Sequence, residues 1–440
     1  MSGVLLIGAG PPPGPTTAVT DFGALRTWAF AAALRGDGHP VHVVWITAPD
    51  EAPPLEALAP GDHVLTPAEA LRAGPVEAIG ADAALVVSAG PHLPGRVAAR
   101  VAGERPWLAD VPGDPFAEAQ ALALRGALSA AGWADAVQAA RAVLARADRL
   151  GAISGPQADA LRGQLLAAGR ARDAAAPVVA LPNVYAFPHA PGPPRVRAPG
   201  APLRVLVAGT PNAWLDAEVL AAGLESALRA RPAVTVTVTG APRAGQPAGA
   251  HAPLAALAAA HPGRVRASGW LAPGAFDAVV RASDLLVWMD RPGDEPRLGC
   301  RTRALFGAWC GLALVGTARA ALPAALAAVG GLTAVAEGSA AALGAALVAA
   351  VDAGDDGAQT ARAQAWLAAH HAPAVALAPL LAFARSPARH PAADDPLPAA
   401  HDALLAELLA VRARPTIRAA NAVHRRLLAW KGRFGGTPRG

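Results

Sequence analysis

The chain has 440 residues, of which 53% are hydrophobic and 16% charged, with a formal net charge of +5. This length exceeds what one ordinary hydrophobic core accommodates, and it predicts two domains. The modest positive charge suits a phosphate-bearing substrate. The sequence has no dense basic stripe with interleaved aromatic residues, which argues against a nucleic-acid-binding protein.

The two cysteines, Cys300 and Cys310, are too few for a disulfide framework, and no Cys/His spacing is typical of a zinc site. We therefore expect no metal and a reducing, cytoplasmic compartment. The N-terminal stretch MSGVLLIGAG lacks a basic region and predicts a buried strand, not a signal peptide. The uninterrupted apolar stretches are too short to span a bilayer.

The first half of the chain alternates short apolar runs with helical segments, which is typical of βαβ units and a parallel sheet. Strands are predicted at Val4–Ile7, Val41–Ile46, Ala84–Val87, Trp107–Ala109 and Val178–Leu181. Helices are predicted at Thr20–Arg35, Pro115–Leu128 and Ala134–Ala147.

A proline-rich segment, Phe187–Pro202, interrupts this pattern and predicts a linker, because proline disfavours both helices and central strands. A second series then predicts strands at Leu203–Ala208, Val234–Thr239, Leu285–Trp288 and Leu312–Val315, and helices at Asp216–Arg229 and Ala304–Cys310.

The predicted fold class is α/β, with two Rossmann-like, doubly wound domains facing across a cleft. The predicted boundaries are 1–190 for the first domain, 191–202 for the linker, 203–385 for the second domain and 386–440 for a linker and a basic helical tail. Parallel sheets bind ligands at the carboxyl ends of their strands, so we expect the site in the cleft between the domains.

At the end of the first strand, Gly8-Ala9-Gly10 precedes a cluster of prolines. The prolines remove backbone donors that a dinucleotide pyrophosphate would need, which argues against a nicotinamide cofactor. We expect Gly10 to form part of the acceptor-side wall of the cleft, although a plain strand-to-helix turn gives the same pattern.

The segment Trp107–Gln120 places Asp110 at the end of a strand, followed by a turn and a helix with an acidic first turn. A structural role explains Asp114 and Glu118 as well as a functional one does, because Asp114 can cap the helix and Glu118 can interact favourably with the helix dipole. Asp110 is a candidate catalytic residue, because a carboxylate there points into the ligand crevice.

Two loops of the second half carry candidate ligand contacts. In Thr210–Asp216, the candidates are Thr210, Asn212 and Trp214, although Trp214 fits a core position equally well and Asp216 a helix cap. The loop from Trp288 to Arg303 carries both charges between a buried strand and a helix. Arginines there suit a diphosphate and a carboxylate suits sugar hydroxyls, whereas a surface ion-pair cluster is the alternative.

Six segments, in order, resemble bacterial retaining glycosyltransferases of the GT-B type, the group called group 1 or family 4. They are "WLADVPGDPFAEAQ", "ISGPQADALRGQLLAAGR", "GTPNAWLDAEVL", "TGAPRAG", "SGWL" and "DEPRLGCRTRALFGAWCGLALVGT". The resemblance covers about residues 1–385. It implies that the second domain binds a nucleoside diphosphate sugar, that the first domain binds the acceptor, and that the chemistry needs no metal or cofactor.

Residue by residue, the resemblance implies that Glu295 contacts the donor sugar, as the first acid of a paired-glutamate motif. The second acid is replaced by Phe306, which leaves the usual ribose contact unassigned. Arg301 and Arg303 are the diphosphate candidates, because the only lysine is Lys431. Arg243, in "TGAPRAG", is a further candidate substrate contact.

The predicted function is transfer of a sugar from a nucleotide sugar to a glycan, lipid-linked or small-molecule acceptor, with retention implied by the resemblance alone. A nucleotide-sugar epimerase and a catalytically inactive partner subunit are the alternatives, and Phe306 favours the second. The basic, leucine-bearing tail 401–440 predicts either packing onto the body or contact with anionic lipid.

Overall fold

A computed structural model describes residues 3–13, 22–48, 51, 58–170, 177–184, 191–209, 211–241, 246–247 and 249–390. These residues form two parallel β-sheets, each covered by helices. The first sheet has seven strands in the order β3-β2-β1-β4-β5-β6-β7, and the second has six in the order β10-β9-β8-β11-β12-β13.

The strands are numbered in chain order. Those of the first sheet are β1 Val4–Ala9, β2 Val41–Ile46, β3 Asp62–Leu65, β4 Leu85–Ala89, β5 Trp107–Val111, β6 Arg149–Ala152 and β7 Val178–Ala180. Those of the second sheet are β8 Leu203–Val207, β9 Val234–Val238, β10 Val265–Ala267, β11 Leu285–Trp288, β12 Ala313–Gly316 and β13 Thr333–Ala334.

The helices are also numbered in chain order. Those between the strands of the first sheet are α1 Phe22–Gly36, α2 Pro67–Leu71, α3 Pro75–Ile79, α4 Leu93–Val101, α5 Pro115–Leu124, α6 Ala130–Arg146 and α7 Gly155–Ala167. Those that follow are α8 Ala217–Ala230, α9 Ala252–Ala260, α10 Pro273–Arg281, α11 Asp294–Leu298, α12 Thr302–Trp309, α13 Ala321–Ala328, α14 Ala340–Ala353, α15 Ala358–His370, α16 Pro373–Ala376 and α17 Ala378–Arg385.

The central strands are apolar on both faces because helices cover both faces. Along β1, Leu5 and Ile7 belong to one hydrophobic cluster, with α4, α6 and α7, whereas Val4 and Leu6 belong to another, with α1 and α17. Every residue of β4, β5, β11 and β12 is buried. Polar side chains that serve a ligand must therefore lie at the strand ends.

The predicted α/β class with two doubly wound sheets is confirmed, and each predicted strand is present with its ends within two residues. The strands that the sequence did not predict, β3, β6, β10 and β13, have four residues or fewer. Each of the four contains a charged or polar residue, so it lacks the continuous apolar run by which equally short strands such as β11 and β12 were recognised.

The predicted helix Pro115–Leu128 ends earlier, at Leu124. Gly126 takes a left-handed conformation with φ of 67°, and its N–H bonds to the carbonyl of Ala123, which closes the last turn. The next helix begins at Ala130, before the predicted Ala134, because the Ser129 side chain accepts a hydrogen bond from the Gly132 N–H.

The segment 191–202 lies against the second domain. Gly192 N–H donates to the carbonyl of Trp309 at 2.9 Å, and Arg197 pairs with Asp355 through two backbone hydrogen bonds of 2.7 Å. The first part of the predicted linker, 187–190, lies outside the described residues.

Helix α17 returns to the first domain, although it lies within the range 203–385 that the sequence predicts for the second. Leu377, Leu380 and Phe383 join the hydrophobic cluster that covers one face of the first sheet. Arg385 also forms an ion pair with Asp37, at the end of α1. Among the described residues, no helix combines the length and apolarity needed to cross a bilayer.

We expect Leu380→Ala to lower the free energy of unfolding of the first domain by about 2–5 kcal/mol, because Leu380 is fully buried. Arg385→Ala, which removes an exposed ion pair, should cost about 1 kcal/mol or less. Urea unfolding followed by tryptophan fluorescence measures both. Equal, small effects of the two substitutions would show that α17 does not belong to the first-domain core.

Candidate functional site

The charged loop of the second domain forms a buried cluster at the carboxyl ends of β11 and β12. Arg301 donates from Nε to Oδ1 of Asp290 at 2.7 Å and from Nη2 to Oε2 of Glu295 at 2.8 Å. The Thr317 hydroxyl donates to the other carboxylate oxygen of Asp290 at 2.7 Å. All three charged side chains are at most 3% exposed, so this is not the surface ion-pair cluster of the alternative interpretation.

Glu295 is fixed in this cluster by the backbone as well as by Arg301. It lies in the short helix α11, and Gly299 packs against it so closely that a Cβ on Gly299 would meet Oε1 at 2.3 Å. Burial raises the pKa of Glu295 to about 7, although Arg301 acts in the opposite direction. Glu118 and Asp290 raise it further. Close to neutral pH, this carboxyl group can therefore donate a hydrogen bond as well as accept one.

Arg303 differs from Arg301 in having no anionic partner within the described part of the chain. Its Nη1 atom is buried and has no hydrogen-bond partner there. Burial lowers the pKa of Arg303 to about 10, which still leaves it charged at neutral pH. Arg303 lies in the first turn of α12, and the cap residue Arg301 makes no side-chain hydrogen bond to that turn. A cation in the first turn of a helix, where the helix dipole is positive, favours an anion.

The loop after β8 lies beside this cluster. Leu215 and Asp290 form an isolated antiparallel bridge, and the Arg291 N–H donates to the carbonyl of Trp214 at 2.8 Å. Asp216 caps α8 by accepting from the Val219 N–H, which confirms the capping interpretation. Asn212 and Trp214 are half-buried, and the Oδ1 atom of Asn212 has no partner among the described residues. Thr210 and Arg243 lie outside the described residues.

Asp110, near the end of β5 in the first sheet, forms a buried ion pair. Arg26 of α1 donates from Nε and Nη2 to its two carboxylate oxygens, both at 2.6 Å. Asp110 has no exposed surface. Its role in orienting an acceptor stays a prediction. The contacts that the Asp110 carboxylate makes in this structure are with another side chain of the protein. Gly10, the other candidate on this sheet, is buried at the end of β1 with φ of 86°.

Asn183, three residues after β7, connects the two charged clusters. Its Oδ1 atom accepts from Arg26 Nη1 at 3.1 Å, and its amide nitrogen contacts the Cys300 thiol. The Cys300 carbonyl in turn accepts from Arg301 Nη1 at 3.2 Å. Burial raises the pKa of the Cys300 thiol to about 12, so it stays protonated at neutral pH. Both cysteines are free thiols, as the sequence predicts.

A groove separates α5 of the first domain from the loops of the second, and we call it the interdomain groove. It contains about 380 Å³ of space, including its opening to solvent. Ala117, Ala121 and Leu124 line one wall, and Trp214 and Glu295 belong to the other. The predicted donor-side residue Glu295 thus faces the domain that is predicted to bind the acceptor.

Phe306, at the position of the missing second acid, stacks on Phe276 with ring centroids 5.2 Å apart. It packs against the core of the second domain. The structure therefore offers an aromatic pair where the resemblance implies a ribose-binding carboxylate.

The structure brings Glu295, Arg301 and Arg303 together, with Trp214 in the adjacent groove, whereas Asp110 and Gly10 lie on the other sheet. The sequence did not single out Asp290 or Arg26 as partners of these residues. Arg26 carries a recognisable signal, because it is an isolated charge within a largely apolar helix. Among the described residues, no group of three or more His, Cys, Asp or Glu side chains is arranged to hold a metal ion.

Comparisons with known proteins show the GT-B fold. No family model and no curated protein matches the chain. Among solved structures, a sucrose-phosphate synthase from Thermosynechococcus elongatus is 16% identical with a TM-score of 0.60, and covers 88% of this chain and 99% of its own. The Anabaena protein HepE in complex with UDP and glucose is 15% identical with a TM-score of 0.60, over 88% and 100%. WaaG, a glycosyltransferase involved in lipopolysaccharide biosynthesis, is 14% identical with a TM-score of 0.59, also over 88% and 100%.

The raised pKa of Glu295 predicts a pH-dependent stability. Between about pH 4.5 and 7, the native protein holds a proton that the unfolded chain releases, so this contribution to stability falls as the pH rises. The difference in free energy of unfolding between the wild type and Glu295→Gln should therefore shrink from acidic to neutral pH. Urea unfolding across this range measures it, and two curves that stay parallel would contradict the raised pKa.

Proposed function

We propose that the chain is a glycosyltransferase that transfers a sugar from a nucleoside diphosphate sugar to an acceptor hydroxyl. The observation that carries the proposal is Arg303, a charged side chain without an anionic partner in the described structure, in the first turn of α12 and beside Glu295. A diphosphate supplies the missing negative charge. The similar structures support the proposal, since they include glycosyltransferases and a complex with UDP-glucose.

In the proposed reaction, the bond between the sugar's anomeric carbon and the diphosphate breaks, and the electron pair leaves with the nucleoside diphosphate. Arg303 stabilises the negative charge that grows on this leaving group. Glu295, held by Arg301 and Gly299, hydrogen-bonds hydroxyl groups of the donor sugar. Arg301 serves mainly to position Glu295, because its charge is already shared between two carboxylates.

The acceptor binds on the first-domain side of the interdomain groove, where α5 forms the wall. Asp110 holds Arg26 at the end of β5. Retention of configuration is part of the proposal on the resemblance alone. Contact of the tail with anionic lipid also stays a prediction, because residues 391–440 lie outside the described structure.

A panel of nucleotide sugars tests the function directly. The correct donor should raise the melting temperature, because it binds only the folded state, and should release its nucleoside diphosphate in the presence of an acceptor.

Glu295→Gln should lower transfer at least about tenfold, roughly 1.4 kcal/mol in barrier, without loss of fold. The matched control Glu77→Gln alters a surface ion pair on α3 and should transfer normally. Conversion of the donor to its epimer without an acceptor would replace the proposal with an epimerase, and no response to any donor would support an inactive subunit.

The role of Arg303 can be separated from that of a general surface charge. Arg303→Ala should weaken binding of the nucleoside diphosphate at least about tenfold and leave binding of the bare nucleoside unchanged, since only the diphosphate meets the guanidinium. Arg297→Ala removes an exposed arginine from α11, six residues before, and should change neither affinity. Calorimetry that finds equal losses for nucleoside and diphosphate would contradict the assignment.

A further inference from the structure

The interdomain groove has an apolar wall on the side of the first domain. Ala117, Ala121 and Leu124 line it from one face of α5, at the i, i+4 and i+7 spacing of an α-helix. Leu124 is 79% exposed, although a leucine side chain in water forgoes the free energy that its burial would give. A ligand in the groove can supply that burial.

The polar side chains on this wall do not suit a sugar ring. Gln120 and Arg125 are the polar residues that line the groove from the described part of the first domain, and Arg125 already lies 3.5 Å from a carboxylate oxygen of Glu218. Each sugar hydroxyl that leaves water needs a hydrogen-bonding partner, and one glutamine with a paired arginine offers too few. These residues favour an apolar group against α5.

The opposite wall favours a flat, aromatic group over a flexible one. Trp214, Pro292 and Pro296 line the groove from the second domain. The small side chains of Ala117 and Ala121 leave room for a flat group to approach α5 closely. An indole ring packs favourably against another aromatic ring, beyond the gain from buried area alone.

Two arginines add an electrostatic preference for an aromatic ring. Arg125 and Arg291 line the groove from the two domains, and Glu218 forms an ion pair with both. A guanidinium group that is paired at its edge still has a flat face, which attracts the electron-rich face of an aromatic ring. An alkyl chain gains nothing comparable from these charges.

We infer that the acceptor carries an aromatic ring, and that the interdomain groove binds this ring between α5 and Trp214. The inference rests on the proposed function and adds a substrate class to it. Glu295 belongs to the same groove, so a ring bound there holds the rest of the acceptor beside the donor sugar. Ala121, Leu124 and Trp214 thereby determine the specificity for the acceptor.

Three glucosides that share the sugar and differ in the attached group test the inference on the full chain. They are para-nitrophenyl, hexyl and methyl β-glucopyranoside. Calorimetry without a donor should find at least about tenfold higher affinity for the para-nitrophenyl glucoside than for the other two, because only its ring meets both Trp214 and the arginines.

Variants of α5 locate the binding site. Ala121→Leu should abolish the preference for the para-nitrophenyl glucoside, because the larger side chain fills the space of the ring. Leu124→Ser, at a position far outside the core, should reduce this affinity about threefold. The matched control is Ala123→Leu, on the same helix, since Ala123 is exposed and does not line the groove. It should bind all three glucosides as the wild type does, and thermal unfolding checks the fold of each variant.

The outcomes separate the inference from the proposed function. Equal affinity for the para-nitrophenyl and hexyl glucosides assigns the groove to an alkyl chain, and a wild-type dimer that Leu124→Ser dissociates in sedimentation assigns the apolar wall to a second copy of the chain. Either result overturns the inference, as does a wild type without preference for the aromatic glucoside, and each leaves the glycosyltransferase proposal intact because no donor is used. A preference for the aromatic glucoside in a chain that responds to no nucleotide sugar overturns the glycosyltransferase proposal and leaves the groove as an aromatic-binding site.

Discussion

Two buried arginines hold the carboxyl edges of the two sheets, and the architecture of the cleft depends on them. Arg26 takes the charge of Asp110 in the first domain, and Arg301 takes those of Asp290 and Glu295 in the second. An unpaired carboxylate at such depth would cost several kcal/mol, so neither set of acids could stay charged without its arginine. The two clusters also meet through Asn183, so the position of each depends on the other.

The cluster around Arg301 explains why neighbouring arginines of one loop have different properties. Arg301 is the N-cap residue of α12, and its charge is shared by two acids. Arg303, two residues further along, lies in the first turn of α12 and forms no ion pair with an acid among the described residues. The first holds the loop in one conformation, and the second is the arginine that we propose to bind the diphosphate. Because the loop is already ordered, such binding would lose less entropy.

Three acids on the first-domain side of the cleft also differ from one another in their neighbours. Asp110, at the end of β5, is enclosed by Arg26, whereas Glu118, eight residues later, contacts the exposed ring of His92. Asp114, between them, caps α5 by accepting from the N–H groups of Phe116 and Ala117. One short segment thus provides a buried ion pair, a helix cap and a contact to a histidine, because each carboxylate meets a different neighbour.

The sequence by itself determined the two α/β domains, because strands buried on both faces must be continuously apolar and their helices must alternate with them. It also located the charged loop around Glu295, since charge directly after a buried strand is visible locally. Only the tertiary structure decided which charges are neutralised. Arg26 lies 84 residues from Asp110, and His92 lies 26 from Glu118. The packing of helices on the sheet brings these pairs together, and no local pattern records that contact. The same reason assigns α17 to the first domain, since Leu380 and Phe383 reach that core only when the chain folds back.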